Sequence, residues 1–528
     1  MSASISLANV SWSTPDGSPV LTDVSLTFHR ERVGIIGANG VGKTTLLKLL
    51  SGELAPTRGR VTVAGTIGSL RQMAQIPLGE TIADLMGISS ALELLRKAEA
   101  GVASVDELAE ADWTLRGRAV ETLAKVGLRA GLDASLSTLS GGQRTRAALA
   151  GLLFARPDFI LLDEPTNNLD RDGRRALGDL LAGWRGGALV VSHDRQLLDA
   201  MDTIVELGGL GAARYGGNWS AFRERKAIEL EAAERDLASA DRRAADAARK
   251  EQQRTERQQR RDAAGNRKAM RGDMPNILLG MRRDRAEKSG GQGARLFQRL
   301  RAEAEQSLSE AKSRIERRDA IRLELAPSRL PPGQRVLDAE QLAFGYCPGE
   351  PVFSDVQLHM VGPERVAIRG RNGSGKSTFL GLVAGRLTPW RGYATVHVPF
   401  SYLDQSVSIL APNLTIAENF RRLNSLQNDQ ASRAALARFQ FKADDADRPV
   451  ATLSGGHLLR AGLACVLGGA RPPSLLILDE PTNHLDMDSI AAVEAGLCAF
   501  DGALLIVSHD QAFLDAIGIS RHIEIDAA

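Results

Sequence analysis

The 528-residue sequence predicts an α/β protein: two domains of one kind in tandem, joined by a long α-helical hairpin. Three observations carry that prediction. Gly37-Ala38-Asn39-Gly40-Val41-Gly42-Lys43-Thr44 recurs as Gly370-Arg371-Asn372-Gly373-Ser374-Gly375-Lys376-Ser377. Each copy is followed, in the same order, by a Gln, a Leu-Ser-Gly-Gly, an Asp-Glu-Pro-Thr-Asn and a Ser-His-Asp. A repeat of this length means that one structural unit is present twice. In both copies a short apolar run enters the glycine-rich loop and a helical stretch leaves it, the alternation of an α/β unit. Between the copies, Ala221 to about Arg261 is rich in Ala, Glu, Arg and Gln and has no Gly or Pro, a composition of strong helix formers. The expected domains are residues 1–220, a linker over 221–333, and 334–528.

The first domain opens on an alternation, Ile5, Leu7, Val10, then Leu21, Val24, Leu26, Phe28. That pattern suits antiparallel strands with one buried face. Arg32 to Gly37 reads as a strand running into a loop, and Thr44 to Leu50 as the helix after it; Arg365 to Ile368 is the matching strand in the second domain. Phe159–Asp163 and Leu475–Asp479 are apolar runs ending in acids, and Ala188–Val191 and Ala503–Val507 are apolar runs ending before a His. In the linker, Gly265 to Gly293 is broken by Gly and Pro275 and reads as the hairpin tip. Ala294 to about Leu325 returns as helix, and Pro327, Pro331, Pro332 and Gly333 close the segment. Ile228, Leu230, Leu237, Leu296, Leu300, Leu308 and Ile315 supply a thin apolar seam for the two arms.

Composition bounds the function. The net charge of +2 hides an asymmetry: residues 221–330 hold 28 Lys and Arg against 19 Asp and Glu, so the linker is strongly basic and the rest of the chain acidic. Three scattered cysteines, Cys347, Cys465 and Cys498, make no C-x-x-C pair, which argues against zinc or a disulfide framework and for a reducing compartment. Met1 to Val10 shows no secretory leader. The apolar runs are strand-length, far short of the roughly 18 residues a membrane helix needs. The expectation is a soluble, cytoplasmic protein.

The repeated motifs carry phosphate chemistry. A Gly-x-x-Gly-x-Gly-Lys-Thr/Ser loop lets successive backbone N–H groups converge on phosphate oxygens with a helix N-terminus behind them. Gly37, Asn39, Gly40, Gly42, Lys43, Thr44 and Thr45 are the candidate nucleotide-binding residues of the first domain. Gly370, Asn372, Gly373, Gly375, Lys376, Ser377 and Thr378 are those of the second. Lys43 and Lys376 reach the terminal phosphates; Thr44 and Ser377 place a hydroxyl on Mg²⁺. Of the paired acids, Asp163 and Asp479 hold the metal shell, and Glu164 and Glu480 polarise the attacking water. His193 and His509, at matching positions, contact the γ-phosphate, and Gln72 and Gln405 are assigned to Mg²⁺ and water.

Together these motifs resemble an ATP-binding cassette ATPase, and the resemblance covers both domains: two P-loop ATP-binding cassette domains in tandem. Leu139-Ser140-Gly141-Gly142-Gln143 is the family signature in full, whereas Leu453-Ser454-Gly455-Gly456-His457 departs at its last position. The resemblance implies head-to-tail pairing within one monomer. Lys43, Asp163 and Glu164 would then face Ser454, Gly455 and Gly456, while Lys376, Asp479 and Glu480 would face Ser140 to Gln143. The family offers an aromatic for adenine stacking; Tyr346 fits that place in the second domain, and Thr14 stands there in the first. Both glutamates are retained, so two hydrolytic but unequal sites are expected.

Glu164-Pro165-Thr166-Asn167-Asn168-Leu169-Asp170, its copy at 480–486 and the Tyr215–Phe222 run entering a long basic linker look like the ABC-F subfamily. The resemblance implies a ribosome-associated translation factor or antibiotic-resistance protein. Such a protein would bind at the tRNA exit site, with its linker reaching P-site tRNA and the peptidyl-transferase centre. Arg242–Arg301 holds 18 Lys and Arg against 7 Asp and Glu, which suits contact with rRNA and tRNA phosphates. Arg267, Lys268, Arg271, Arg282, Arg283 and Arg285 mark the tip. Two rivals stand beside this reading. A soluble ATPase subunit of a transporter would join its cassettes briefly, and a DNA-repair or chromosome ATPase would carry zinc cysteines or longer coiled coils. Gln72 to Ser140 spans 68 positions against 49 from Gln405 to Ser454, room for a short arm in the first domain.

Overall fold

This computed structural model describes residues 3–70, 79–167, 169–208, 211–270, 325–424, 429–441, 443–483 and 485–525. Gln72, Asn168, His484, the second arm of the linker up to residue 324 and the tip arginines from Arg271 onward lie outside the described residues.

The first domain contains β1 (Ser4–Ser13), β2 (Pro19–Phe28), β3 (Arg32–Ile36), β4 (Arg58–Ala64), β5 (Ile67–Ser69), β6 (Phe159–Asp163), β7 (Gly187–Val191), β8 (Thr203–Gly208) and β9 (Gly211–Gly216). The second contains β10 (Arg335–Phe344), β11 (Phe353–Val361), β12 (Arg365–Arg369), β13 (Arg391–Val396), β14 (Phe400–Leu403), β15 (Leu475–Asp479), β16 (Ala503–Val507) and β17 (Arg521–Glu524). Each domain pairs a small antiparallel sheet, β2-β1-β4 or β11-β10-β13, with a larger sheet, β5-β6-β7-β3-β8-β9 or β14-β15-β16-β12-β17. The alternation at the start behaves as expected: Ile5, Leu7 and Val10 pair with Phe28, Leu26 and Val24, and all six are buried.

The strands of the larger sheets are parallel apart from the β8–β9 hairpin, and the inner ones, β3, β6, β7, β12, β15 and β16, are buried on both faces, as their continuous apolar runs require. Along β6, Phe159 and Leu161 join the core beneath β1 and β2, while Ile160 and Leu162 join the core beneath the helices. In β15, Leu475 and Ile477 divide from Leu476 and Leu478 in the same way. A period of two therefore feeds two cores from one strand.

The extra length of the first domain is spent on helices Ser89–Glu99, Val105–Glu110 and Leu115–Lys125, against Asp429–Arg438 and Ala443–Ala446 in the second. Val105–Glu110 buries none of its residues, and Val105 and Trp113 nearby are 83% and 60% exposed.

The chain divides into two compact units: residues 1–222 with 321–528, which hold both cassettes, and residues 223–320. The linker begins as one helix, Trp219–Met270, of 52 residues, about 78 Å long at 1.5 Å per residue. Asn218 starts it, its Oδ1 accepting from the Ala221 N–H at 3.1 Å. Trp219 stacks on Phe222 at 5.3 Å in the buried core of the first cassette. The helix corrects two expectations. It continues through Gly265, where a tip was expected; one glycine costs about 1 kcal/mol against Ala, and Ala263, Ala264, Arg267, Lys268 and Ala269 on either side outweigh it. Ile228, expected in the seam, is 64% exposed, whereas Leu230 and Leu237 are half-buried.

Candidate functional site

In the first cassette β6, β7 and β3 are consecutive neighbours, and in the second β15, β16 and β12 are. Their carboxyl ends therefore deliver the glycine-rich loop, the paired acids and the histidine to one edge of the sheet, where ligands of open α/β sheets bind. Gly42 and Gly375 begin the helices Lys43–Ser51 and Lys376–Val383 with φ of 104° and 88°. A Cβ on Gly375 would lie 2.6 Å from Val352 Cγ1, so only glycine turns the chain there.

Lys43 Nζ donates to the Gly37 and Ala38 carbonyls at 2.7 and 3.1 Å, and Lys376 Nζ to those of Gly370 and Arg371 at 3.0 Å each. Each ammonium is held against its own loop. Thr44 Oγ1 donates to Asp163 Oδ2 at 2.8 Å, and the Ser377 hydroxyl bonds Asp479. A hydroxyl beside a carboxylate at the first turn of this helix is the oxygen donor set that suits Mg²⁺.

Glu164 and Glu480 sit at φ of +45° and +47°, a left-handed conformation that costs a non-glycine residue roughly 1–3 kcal/mol and marks functional positions. Their N–H groups donate to the Val191 and Val507 carbonyls at 2.9 Å each, which holds the turn. His193 Nε2 lies 3.2 Å from Glu164 Oε1, and His509 Nε2 3.3 Å from Glu480 Oε1. Neither approach has hydrogen-bond geometry: Glu164 Oε1, Glu480 Oε2, Asp479 Oδ1 and the Nε2 atoms of both histidines are buried without a hydrogen-bond partner. Orphaned buried polar atoms converging on a phosphate-type loop fit a bound nucleotide with its metal and water.

Burial dominates the electrostatics. It pushes the Glu164 carboxyl up to about 8, opposed by Lys43 and reinforced by Asp163. Burial likewise raises Glu480 to about 7, opposed by Lys376 and reinforced by Asp479. His193 is depressed to about 3 by burial and Lys43, and His509 to about 4 by burial, Lys376 and Arg174. The histidines are therefore neutral, and the carboxyls release their protons readily only when positive charge is added beside them.

The two cassettes meet at these loops. The Asn39 N–H donates to Asp486 Oδ2 at 2.8 Å, and the Asn372 N–H approaches Asp170 Oδ2 at 3.5 Å. Asp170 and Asp486 also begin helices Arg171–Gly183 and Met487–Ala499, accepting from Gly173 N–H and Ser489 N–H at 2.9 Å each. A cavity of about 600 Å³ lies at the second loop, lined by Asp170 and Arg174 from one cassette and Gly370, Arg371 and His509 from the other. In the sequence these aspartates stood only as the ends of the runs at 164–170 and 480–486 and were given no role at the site, although Leu-Asp stands at the same offset in both. Nor did the sequence motifs mark Tyr402, whose hydroxyl bonds Asp479. Gln405, assigned to the metal, is exposed in the turn after β14, and the contact to Asp479 from that part of the chain is Tyr402's.

The signatures reach the opposite loops through those aspartates. Gly456 is packed so closely on Ser489 that a Cβ there would lie 2.4 Å from its Oγ, and Ser489 is tied to Asp486, which holds Asn39. On the other side Arg146, on the helix Gly141–Ala155 that carries Ser140, pairs with Asp170 Oδ1 at 2.7 Å. Ser140 is a capping-box residue: its Oγ accepts from Gln143 N–H at 3.3 Å, and Gln143 Oε1 accepts from Ser140 N–H at 2.9 Å. Ser454 lacks that box, and its Oγ lies 2.7 Å from His457 Nδ1.

Tyr346 is 69% exposed and its hydroxyl lies 2.9 Å from Thr378 Oγ1, with Phe344 edge-on at 5.3 Å between ring centroids. In the first cassette Thr14 only ties a local turn through Asp16 and Ser18. Tyr346→Ala is expected to weaken ATP binding at the second site about tenfold, since stacking on a base is worth roughly 1–3 kcal/mol. Tyr346→Phe should retain most of that affinity in equilibrium titrations.

The ABC transporter family model matches residues 21–167 and 353–483. The tylosin resistance ATP-binding protein TlrC of Streptomyces fradiae is 32% identical over 94% of this chain and 93% of its own length. ABC transporter F family member 5 of Arabidopsis thaliana is 30% identical over 100% of this chain and 75% of its own length. This chain belongs to the ABC-F branch of the ATP-binding cassette ATPases. The ABC-F protein is also 30% identical to the energy-dependent translational throttle protein EttA of Mycobacterium tuberculosis, over 94% of this chain and 87% of that one. Among solved structures it shares its fold with a chain from the complex of archaeal ribosomal stalk protein aP1 and ribosome recycling factor aABCE1. The TM-score is 0.56 at 20% identity, covering 98% of this chain and 87% of that one. The ABC-F protein is an ATPase of two cassettes, and no helix among its described residues is long and apolar enough to cross a membrane.

Proposed function

We propose that this ABC-F ATPase is a cytoplasmic monomer that acts on the ribosome. ATP closes its two cassettes head to tail, and the linker works from the tRNA exit site toward P-site tRNA and the peptidyl-transferase centre. The observation that carries this reading is the linker, where residues 242–301 hold 18 Lys and Arg against 7 Asp and Glu and the first arm is a single 52-residue helix. Such an element meets rRNA and tRNA phosphates and has no use in a short-jointed transporter ATPase. Two similar proteins named for tylosin resistance and for a translational throttle support the same direction.

At each site the loop N–H groups and Lys43 or Lys376 hold the phosphates. Thr44 with Asp163, and Ser377 with Asp479, would hold Mg²⁺, which when bound neutralises charge on the phosphate oxygens. Glu164 and Glu480 orient the attacking water and take its proton. His193 and His509, neutral and with their Nε2 atoms free of a protein hydrogen bond, contact the γ-phosphate. The signature serine of the opposite cassette closes over the γ-phosphate.

Glu164→Gln/Glu480→Gln protein with ATP is expected to sediment with ribosomes through sucrose and to arrest translation in an extract. Sedimentation at the top of the gradient, with translation unaffected, overturns the ribosomal reading.

A further inference from the structure

The one conspicuous difference between the two signatures lies at the residue after the glycines. Gln143 gives the Ser140 hydroxyl a fixed environment. The backbone N–H of Gln143 donates into Oγ and the side-chain Oε1 is occupied by the Ser140 N–H, so the hydroxyl proton stays free to point outward. In the second cassette the imidazole Nδ1 of His457 takes hold of Ser454 Oγ itself at 2.7 Å. A hydroxyl rotates to suit its partner, and the two ring nitrogens of His differ in which carries hydrogen. When Nδ1 is bare, it accepts the Ser454 proton and turns the hydroxyl inward. When Nδ1 carries hydrogen, it donates into an Oγ lone pair and the hydroxyl proton is released for another acceptor.

Ser454 begins the helix Gly455–Leu467, and this end of the helix is joined to the first ATP site by contact. Gly456 abuts Ser489, Ser489 is bonded to Asp486, and Asp486 accepts from the N–H of Asn39 in the glycine-rich loop. We infer that His457 is a positioning residue for ATP at the first site, presenting the Ser454 hydroxyl to the γ-phosphate only when a proton sits on Nδ1. This rests on the reading that each signature closes over the other cassette's nucleotide.

The groups that face the ring set its response. Partial burial and Arg460, on the same helix, hold His457 below its ordinary value. Asp486, in the same cassette, opposes them, as does Asp445, while Arg448 acts with Arg460. A γ-phosphate accepting from Ser454 adds negative charge beside this set and favours the doubly protonated ring, the charged form in which Nδ1 always carries hydrogen. ATP binding at the first site is therefore coupled to proton uptake, and its affinity rises as pH falls; ADP lacks the γ-phosphate and shows no coupling through His457. The second site, with Gln143 opposite, has no such device.

The test confines nucleotide to the first site without turnover, in Lys376→Ala/Glu164→Gln protein, and titrates MgATP and MgADP between pH 5.5 and 8.5. The expected result is ATP affinity about tenfold tighter at the acid end, equivalent to about 1.4 kcal/mol. It should exceed whatever slope His457→Gln retains from titration of ATP itself, and the ADP slope, set by titration of ADP itself, should be the same in both proteins. The mirror change Gln143→His, in Lys43→Ala/Glu480→Gln protein, should install the slope at the second site and serves if His457→Gln does not fold. An unchanged ATP slope in His457→Gln, an ADP slope that His457→Gln changes as much as the ATP slope, or no slope from Gln143→His overturns the inference. Ser454→Ala in the same background separates it from the reading beneath it. If that variant weakens ATP most at the acid end, the signature closes on the first site as inferred. An equal loss at every pH overturns the inference and spares the reading beneath it, and if ATP is untouched at every pH the head-to-tail reading has failed instead.

Discussion

Replacing Glu164 and Glu480 together by Gln will lower ATP turnover by at least about 100-fold, the scale on which general bases contribute. It will also make the nucleotide-free protein more stable, by an amount that grows with pH. The second effect follows from burial. Unfolded glutamate titrates near 4.5, whereas in the folded chain Glu164 is raised to about 8 and Glu480 to about 7. A raised carboxyl keeps its proton in the folded state after the unfolded chain has lost it. Its contribution is therefore fully present below pH 4.5 and is lost as pH climbs through 7 and 8. Glutamine fills the same space and has no proton to lose. His193 and His509, depressed to about 3 and 4, lower stability as pH falls from 6.5 toward 4, but they are common to both proteins and cancel in the difference. The variant should unfold at the same temperature as the parent near pH 4.5. At pH 8.5 it should gain at least about 2 kcal/mol, since each tenfold rise in a carboxyl's proton affinity on folding is worth about 1.4 kcal/mol. That gain corresponds to about 4–8 °C in domains of this size. Calorimetry at the two pH values checks it; a gain independent of pH shows that the carboxyls are not held protonated by burial.

Much of each half-site was legible in the sequence because its chemistry is local. The glycine-rich loop, the acids after β6 and β15 and the histidines after β7 and β16 each follow a buried strand. Parallel sheet order then brings them together without any further information. The resemblance implied which motifs face one another across the cassettes, but the particular contacts that cross between them were not legible. Asn39 and Asp486 are 447 positions apart, and no periodicity indicates which aspartate a backbone N–H will find. The end of the first linker helix was placed too early for a different reason: Gly265 reads as a breaker only when its helix-forming neighbours are left out. Gln405 was placed from its order along the chain, and the side chain that reaches Asp479 from that part of the chain is Tyr402, which no motif marks. The departure at His457 was visible as a letter; its consequence, the 2.7 Å contact with Ser454, needed the helix geometry that puts residues three apart on one face.

The same cross-cassette contacts give the second large effect, an inequality between two residues that the repeat makes equivalent. Asp170→Ala is expected to destabilise the protein more than Asp486→Ala, while Asp486→Ala weakens ATP at the first site more than Asp170→Ala weakens it at the second. Each aspartate begins a helix, accepting from Gly173 N–H or Ser489 N–H at 2.9 Å, and losing such a cap costs about 1 kcal/mol in both. Beyond that they differ. Asp170 is paired to Arg146 at 2.7 Å with both side chains only 13% exposed, and Arg146 Nε is already buried without a partner. Removing Asp170 strands a largely buried guanidinium, a loss of about 2–4 kcal/mol once the remaining solvent access is allowed for. The equivalent Arg460 instead lies over the Phe441 ring at 4.6 Å and keeps that contact when Asp486 is removed. Asp486 spends its other oxygen on Asn39 N–H at 2.8 Å, a sound hydrogen bond into the opposite loop, whereas Asp170 reaches Asn372 at 3.5 Å, at the limit of one. Urea titrations of the two single variants should differ by at least about 1 kcal/mol, and Arg146→Met should recover part of the loss in Asp170→Ala protein, as replacing both members of a buried pair does. Equal losses in the two variants would mean that the Arg146 pair is solvated and weak, and that the cassettes are symmetric at this contact after all.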